Sequence, residues 1–160
     1  MKSSASDSSP TAPLDYMNLE TGTLLNGKYQ VQMKLGKGGF GCVYKVIDVL
    51  GDVTRALKIV TADRGSTSER MKQEYRTLGN LPDHPSVVRV YDGAFLDGDR
   101  TPILVMEFVE GANVEELIKE KKISLTEVLK MGSGVADGLA HIHRHNVTHG
   151  DISLVRRIRG

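Results

Sequence analysis

A short glycine-rich run is the part of the sequence whose composition most directly indicates chemistry. Gly36, Gly38, Gly39 and Gly41 lie close together between two stretches of alternating apolar residues. Because glycine has no side chain, the backbone N–H groups of such a run can approach a phosphate oxygen closely. Glycines also serve in ordinary hairpin turns, and the spacing G-x-G-x-x-G alone does not distinguish a turn from a phosphate site.

The residues after the run exclude two common phosphate-binding arrangements. A dinucleotide-binding turn needs a helix directly after the last glycine, but residues 42–49 (CVYKVIDV) are rich in β-branched residues and predict a strand. A Walker-type loop needs Lys and Ser or Thr at its end, where this chain has Cys42 and Val43. The remaining interpretation is a glycine-containing hairpin between two strands.

A lysine and a glutamate occupy otherwise apolar patterns. Lys58 lies within residues 56–60 (ALKIV), and Glu74 lies on a predicted helix stripe with Met71, Leu78 and Leu81. A buried charge is costly unless it is paired, so we predict that Glu74 meets Lys58 and that the amine also holds a phosphate. Ala56 shares the strand face of Lys58 and leaves room for a flat ring. A solvated edge lysine is the alternative.

These residues need a sheet and a helix to bring them together. Alternation and β-branched composition predict five strands, over residues 28–35, 42–49, 55–60, 87–95 and 103–109. Their short connections favour an antiparallel arrangement. Ser66 and Glu69 have the spacing of a capping box, which predicts one helix over residues 67–80.

The pattern changes to helical periodicity after Gly111. Asn113 with Glu116, and Ser124 with Glu127, have capping-box spacing and predict two helix starts. The second helix is expected to present one apolar face, made of Leu125, Val128, Val135, Leu139 and Ile142. It also contains Gly132, Gly134 and Gly138. Each glycine costs about 1 kcal/mol relative to alanine in a helix, so this helix needs tertiary packing.

Composition restricts the remaining classes. The chain has 160 residues and a net charge of +1, which gives no electrostatic case for a nucleic-acid or anionic-membrane binder. Its single cysteine, Cys42, favours a reducing compartment, and we expect a cytoplasmic protein. No apolar run is long enough for a membrane span or a signal peptide. Residues 1–23 are rich in Ser and Pro and are predicted to form a disordered tail.

Together these motifs resemble the eukaryotic-type protein kinase family, of the Ser/Thr type, over roughly residues 24–151. Residues 35–43 (LGKGGFGCV) resemble its glycine-rich nucleotide loop, residues 56–58 its lysine strand, and Glu74 its helix glutamate. Residues 103–109 (ILVMEFV) are similar to the fifth strand and hinge. The resemblance implies an ATP site formed by Leu35, Gly36, Lys37, Gly38, Gly39, Phe40, Gly41, Cys42, Val43, Ala56, Lys58, Met106, Glu107 and Val109. Met106 would be the gatekeeper, and the backbone of Glu107 and Val109 would receive adenine.

The fold that the resemblance implies is α+β. Residues 24–109 would form a kinase-like small lobe and hinge, with a five-stranded antiparallel sheet and one helix. Residues 110–160 would form the first helices of a large lobe and end at the catalytic loop. Because the family's domain is longer than this chain, we expect a truncated large lobe whose uncovered apolar surface favours self-association.

The departures from the family pattern concern catalysis. His149, Gly150 and Asp151 align with the catalytic-loop His-Arg-Asp, which implies that Asp151 orients or deprotonates the substrate hydroxyl. Gly150 replaces the arginine that pairs with activation-loop phosphate. Ser153 replaces the family's lysine, and Arg156 replaces its metal-binding asparagine. ATP with Mg is the implied cofactor, although the family's metal ligands have no counterpart in this chain and no metal residue is assigned.

Two hypotheses therefore stand. One is a truncated Ser/Thr protein kinase, either a fragment or the product of a frameshift near Ser153. The other is a catalytically inactive, pseudokinase-like module for nucleotide binding or scaffolding. The protein substrate is not specified by either. A metal site at His141 and His145 is a weaker alternative to a polar helix end, because no HExxH pattern accompanies them. A reactive Cys42 is likewise weaker than a small strand residue.

Overall fold

The fold is built on a six-stranded antiparallel sheet. The computed structural model describes residues 14–38, 41–60, 73, 75–96, 101–111 and 113–147. The strands are β1 (Leu24–Leu25), β2 (Tyr29–Gly38), β3 (Gly41–Asp48), β4 (Val53–Val60), β5 (Val90–Leu96) and β6 (Thr101–Glu107). Their order across the sheet is β1-β2-β3-β4-β6-β5, and every neighbouring pair is antiparallel. The antiparallel arrangement predicted from the short connections is confirmed.

The strands differ from the prediction in their number and at two of their ends. The sheet has one strand more than the five predicted, because the pair of residues in β1 is too short to show any periodicity. The strand predicted from Val87 begins at Val90, since the Val87 N–H donates to His84 O in a turn. The strand predicted to reach Val109 ends at Glu107.

One face of the sheet encloses the main hydrophobic core. Its fully buried side chains alternate along the strands: Val31, Cys42, Tyr44, Val46, Leu57, Ile59 and Ile103 are each 0% exposed. Tyr16, Met17 and Leu19 pack against this cluster. Residues 14–23 therefore contact the sheet, whereas their composition had predicted part of a disordered tail.

The helix predicted over residues 67–80 is described only in part. Residues 73 and 75–79 are helical; Ser66, Glu69 and Glu74 lie outside the described residues. The Tyr75 side chain packs against a second cluster, formed by Val60 and Leu104 with Val90 and Met106. The helical residues 75–79 are thereby placed against β4, β5 and β6.

In the part of the chain described after β6 there are two helices, and both begin as the sequence predicts. Helix α1 (Val114–Lys119) has Asn113 as its N-cap, and helix α2 (Leu125–Arg144) has Ser124. Each forms a complete capping box with the glutamate three residues later. Hydrogen bonds from Ser124 lower the pKa of Glu127. No helix in the described part of the chain combines the length and apolarity needed to cross a membrane.

The packing of α2 differs from the predicted apolar face. Leu125, Val128 and Val135 are 75%, 44% and 45% exposed, while Gly138, His141 and Ile142 are buried. A Cβ built at Gly138 would lie 2.9 Å from the backbone oxygen of Ser86. The glycine thus allows the loop before β5 to touch the helix, and this contact supplies the tertiary packing that the helix needs.

Replacing Gly138 by alanine is expected to destabilise the protein, although alanine favours helices. The added methyl group would overlap the Ser86 backbone, and overpacking of this kind costs about 1–3 kcal/mol. Gly132 is the matched control, since a Cβ at that position would meet no atom within 4 Å. Gly132→Ala should stabilise by roughly 0.5–1 kcal/mol through helix propensity. Urea unfolding of both variants measures this difference; equal shifts would contradict it.

Candidate functional site

The glycine-rich run forms the end of the β2–β3 hairpin, as predicted. Gly38 pairs with Gly41, and Gly36 pairs with Val43. Leu35 is half-buried and falls at a register shift between Lys34 and Gly36. The residues predicted at the tip, Gly39 and Phe40, lie outside the described residues.

The described glycines of the hairpin have two different structural roles. Gly41 has φ +134, and a Cβ there would lie 1.9 Å from Ile59 O, so only glycine fits against β4. Gly36 and Gly38 are exposed, and a Cβ at either would meet no atom within 4 Å. The backbone at Gly36 and Gly38 therefore faces open space in which a phosphate group has room to approach.

The strand register brings the predicted nucleotide-facing residues into two adjacent rows. Val43 lies opposite Lys58, and Lys58 lies opposite Leu104. Beside this row, Ala56 lies opposite Met106. Directly opposed residues in an antiparallel sheet share a face. One face, which we call the Lys58 face, therefore carries Val43, Lys58, Ala56 and Met106 next to the hairpin.

Cys42 points away from this face. Its side chain is fully buried in the core, and its Sγ lies 3.5 Å from the Met17 Sδ. The neighbouring predicted residue Lys37 is exposed and pairs with Cys42 across the hairpin. Any contact of Cys42 with a ligand on the Lys58 face would therefore involve its backbone, and its burial agrees with a structural rather than a reactive thiol.

The hinge predicted after β6 is described in full. The Glu107 N–H donates to Arg89 O at 2.9 Å, so a ligand edge at this residue would meet the carbonyl rather than the N–H. The next residue, Phe108, has its ring 4.7 Å from Lys45 Nζ. Val109 is half-buried and lies just past the end of β6.

Tyr75 and Gly93, which the sequence pattern did not single out, form a contact beside the site, because Gly93 lies opposite Leu104 in the row that contains Lys58. A Cβ at Gly93 would lie 2.8 Å from the Tyr75 ring, so the glycine lets the ring lie directly on β5. Tyr75 also contacts the cluster that includes Met106. A glycine within a strand pattern often marks such a close approach. Gly93 alone could therefore have indicated that a side chain packs directly on this strand.

Two residues predicted for catalysis, Glu74 and Asp151, lie outside the described residues. The predicted pairing of Lys58 with Glu74 and the position of Asp151 relative to Lys58 consequently stay predictions. The structure places helical residues on both sides of position 74. It also describes α2, which precedes residues 149–151 in the chain.

The histidines of α2 make structural contacts. His141 Nε2 lies 3.0 Å from Pro82 O, and its ring stacks on His84 with centroids 4.6 Å apart. His145 Nδ1 lies 2.9 Å from His141 O. Within the described ranges, no group of three or more His, Cys, Asp or Glu residues could hold a metal ion. Both side chains thus have structural partners, and His141 is buried near the end of the helix.

The described arrangement can bind a flat ring and an attached anion. Ala56 and Met106 offer an apolar surface next to the backbone of the hinge, and the adjoining row brings Lys58, with its positive charge, beside Val43. The open backbone of Gly36 and Gly38 adjoins this charge. A nucleotide has a flat base at one end and phosphates at the other, which match the apolar part and the charged part of this face.

Comparisons with known proteins agree with this geometry. The model of the family described as protein kinase domain matches residues 29–154. The probable serine/threonine-protein kinase YbdM of Bacillus subtilis is 32% identical over 139 residues, which cover 84% of this chain and 53% of that protein. The serine/threonine-protein kinase PrkC of the same organism is 31% identical over 135 residues, covering 82% and 20%. The chain thus spans about half the length of the first relative and a fifth of the second.

The solved structures show the same likeness. The crystal structure of the PknI kinase domain from Mycobacterium tuberculosis superimposes with a TM-score of 0.68 at 26% sequence identity. The superposition covers 87% of this chain and 58% of that one. The six-stranded sheet and the helices that follow it are therefore the first part of a fold seen in a larger domain.

Proposed function

The chain belongs to the protein kinase domain family, and on that premise we propose that it binds ATP and transfers the γ-phosphate to a serine or threonine hydroxyl of a protein. The observation that carries the proposal is the register of β3, β4 and β6. It puts Lys58 on one face with Val43, Ala56 and Met106, beside the open backbone of the glycine hairpin.

In this proposal each part of the site binds one part of ATP. The adenine ring packs against the side chains of Val43 and Ala56, next to Met106. Its polar edge meets the backbone of Glu107 and Val109. The Lys58 amine and the hairpin hold the phosphates through charge-assisted and backbone hydrogen bonds. Glu74 pairs with Lys58 and fixes its direction. Leu35, Lys37, Gly39, Phe40 and the backbone of Cys42 complete the loop over the phosphates.

Asp151 supplies the proposed acid–base step. Its carboxylate orients the attacking hydroxyl and accepts its proton while the γ-phosphate forms a bond to the hydroxyl oxygen and ADP leaves. The relatives named above carry serine/threonine kinase in their names, which supports serine or threonine as the acceptor. No protein substrate is specified by these residues.

The two groups implied by the family fit this chain differently. ATP fits, because Gly36 and Gly38 leave room for phosphate and Lys58 provides its counter-charge. Mg²⁺ does not fit in the same way. Within the described residues no group of three or more His, Cys, Asp or Glu could hold a metal. At the position of the family's metal-binding asparagine, which lies outside those residues, the sequence has Arg156. No residue of this chain is therefore assigned to the metal ion that accompanies ATP.

A second candidate function follows from those departures. Gly150, Ser153 and Arg156 replace three residues of the family's catalytic loop. These substitutions support an inactive nucleotide-binding or scaffolding module, in which the Lys58 face binds ATP without transferring phosphate.

Phosphate transfer from radiolabelled ATP separates the two functions. The purified chain is incubated with Mg-ATP and casein, and label is sought on serine and threonine, with Asp151→Asn as the matched variant. The kinase proposal expects labelling by the wild type and its loss in Asp151→Asn, with ATP binding retained. Binding without labelling supports the inactive module. Absence of ATP binding, measured by calorimetry, would contradict both.

Self-association is a separate proposal for the 160-residue chain. The exposed apolar residues on one side of α2, Leu125, Val128, Leu129 and Val135, support it. Size-exclusion chromatography at rising protein concentration should show species larger than a monomer. A sharp monomer peak throughout would contradict this expectation.

A further inference from the structure

A short N-terminal segment lies against the reverse side of the proposed nucleotide site. Residues 15–19, here called the strap, precede the part of the chain that the family model matches. Tyr16, Met17 and Leu19 of the strap pack on the core face of the sheet. This face is opposite to the one that carries Lys58.

The strap is tied to β3 by specific hydrogen bonds. The Tyr44 hydroxyl donates to Tyr16 O at 3.0 Å and accepts from the Leu19 N–H at 3.2 Å. Met17 lies over Cys42, with its Sδ 3.5 Å from the Cys42 Sγ. Tyr44 and Cys42 are both 0% exposed, so the strap contributes to closing off this part of the core.

The same stretch of β3 carries the nucleotide-facing residues. Val43 lies between Cys42 and Tyr44 in the chain. Its side chain is on the face away from the strap, where Val43 is paired with Lys58. Gly41, which closes the hairpin against Ile59, is the residue before Cys42. Movement of Cys42 and Tyr44, the two β3 residues that contact the strap, would therefore move Gly41 and Val43 as well.

The strap has its own local structure, which makes it a defined unit. The Asp15 carboxylate accepts hydrogen bonds from the Asn18 side chain and from the Met17 N–H, and these bonds lower the pKa of Asp15. Burial raises the pKa of Tyr44. A phenol is neutral near pH 7 even at its ordinary pKa, so the Tyr44 hydroxyl can donate to Tyr16 O.

We infer that the strap is a positioning element for the nucleotide site, and that the Tyr44 hydroxyl couples its docking to the placement of Gly41 and Val43. This inference rests on the proposed nucleotide site. Coupling between two sites is reciprocal, so a docked strap strengthens nucleotide binding and a bound nucleotide holds the strap in place.

Tyr44→Phe tests the coupling, with Tyr29→Phe as its matched control. Tyr29 is also a buried core tyrosine with a pKa raised by burial, but its hydroxyl donates to Asp92 and touches neither the strap nor β3 near Val43. Both variants lose one buried hydroxyl, so their urea unfolding midpoints should fall by similar amounts. Only Tyr44→Phe should weaken Mg-ATP binding in calorimetry, by roughly 5-fold or more.

Hydrogen exchange on the wild type gives a second readout that needs no variant. The Leu19 amide, which donates to Tyr44, should exchange more slowly when Mg-ATP is bound. Equal Mg-ATP affinities of Tyr44→Phe and Tyr29→Phe, or Leu19 exchange that does not respond to Mg-ATP, would overturn the coupling while leaving the nucleotide site intact. A wild type that binds no Mg-ATP would overturn the nucleotide site as well. The two failures are therefore distinguishable.

Discussion

Gly41→Ala should unfold at a much lower urea concentration than the wild type. An alanine Cβ would lie 1.9 Å from Ile59 O and 3.1 Å from Val60 Cα, which are backbone atoms of the neighbouring strand. The backbone at Gly41 also has φ +134, a conformation that residues with a side chain rarely adopt. Strain of this kind costs about 1–3 kcal/mol before any overlap is counted, so we expect a loss of about 3 kcal/mol or more.

Gly36→Ala and Gly38→Ala are the matched controls for Gly41→Ala. All three are glycines of the same hairpin, but a Cβ at Gly36 or Gly38 meets no atom within 4 Å. Their unfolding free energies should stay within about 0.5 kcal/mol of the wild type. Their Mg-ATP affinity should fall, because the methyl group enters the space proposed for phosphate. If Gly41→Ala were as stable as Gly38→Ala, the steric role assigned to Gly41 would be wrong.

The sequence predicted the sheet well because alternation is a local property of each strand. It could not predict the register, which depends on long-range pairing. Strand β2 contains two register shifts, between Val31 and Met33 and between Lys34 and Gly36. The opposition of Val43 to Lys58 is therefore visible only in the folded chain.

Contacts between segments that are distant in sequence could not be predicted either. Tyr16, Met17 and Leu19 show no periodicity, and their position against the sheet depends on a cluster formed by later strands. By helix propensity alone Gly138 is a cost, and its role depends on Ser86, a residue distant in sequence whose backbone leaves no room for a Cβ. The roles of Glu74 and Asp151 are still predictions from the sequence pattern.

Lys58→Met should weaken Mg-ATP binding more than any other single side-chain change on the Lys58 face. A hydrogen bond between charged groups contributes about 1.5–3 kcal/mol, which corresponds to a loss of roughly 10- to 100-fold in affinity. Methionine keeps much of the apolar stem and removes the amine. Calorimetric titration of wild type and variant with Mg-ATP measures the change directly.

Two controls make the Lys58→Met result specific. Lys28→Met removes the same charge from a position just before β2, where Lys28 Nζ lies 3.5 Å from Asp92, and should leave Mg-ATP affinity nearly unchanged because distant charges are screened. Adenosine, which has no phosphate, should bind Lys58→Met as well as it binds the wild type. Loss of adenosine binding would instead indicate a collapsed site. Mg-ATP affinity within twofold of the wild type would contradict the role proposed for Lys58.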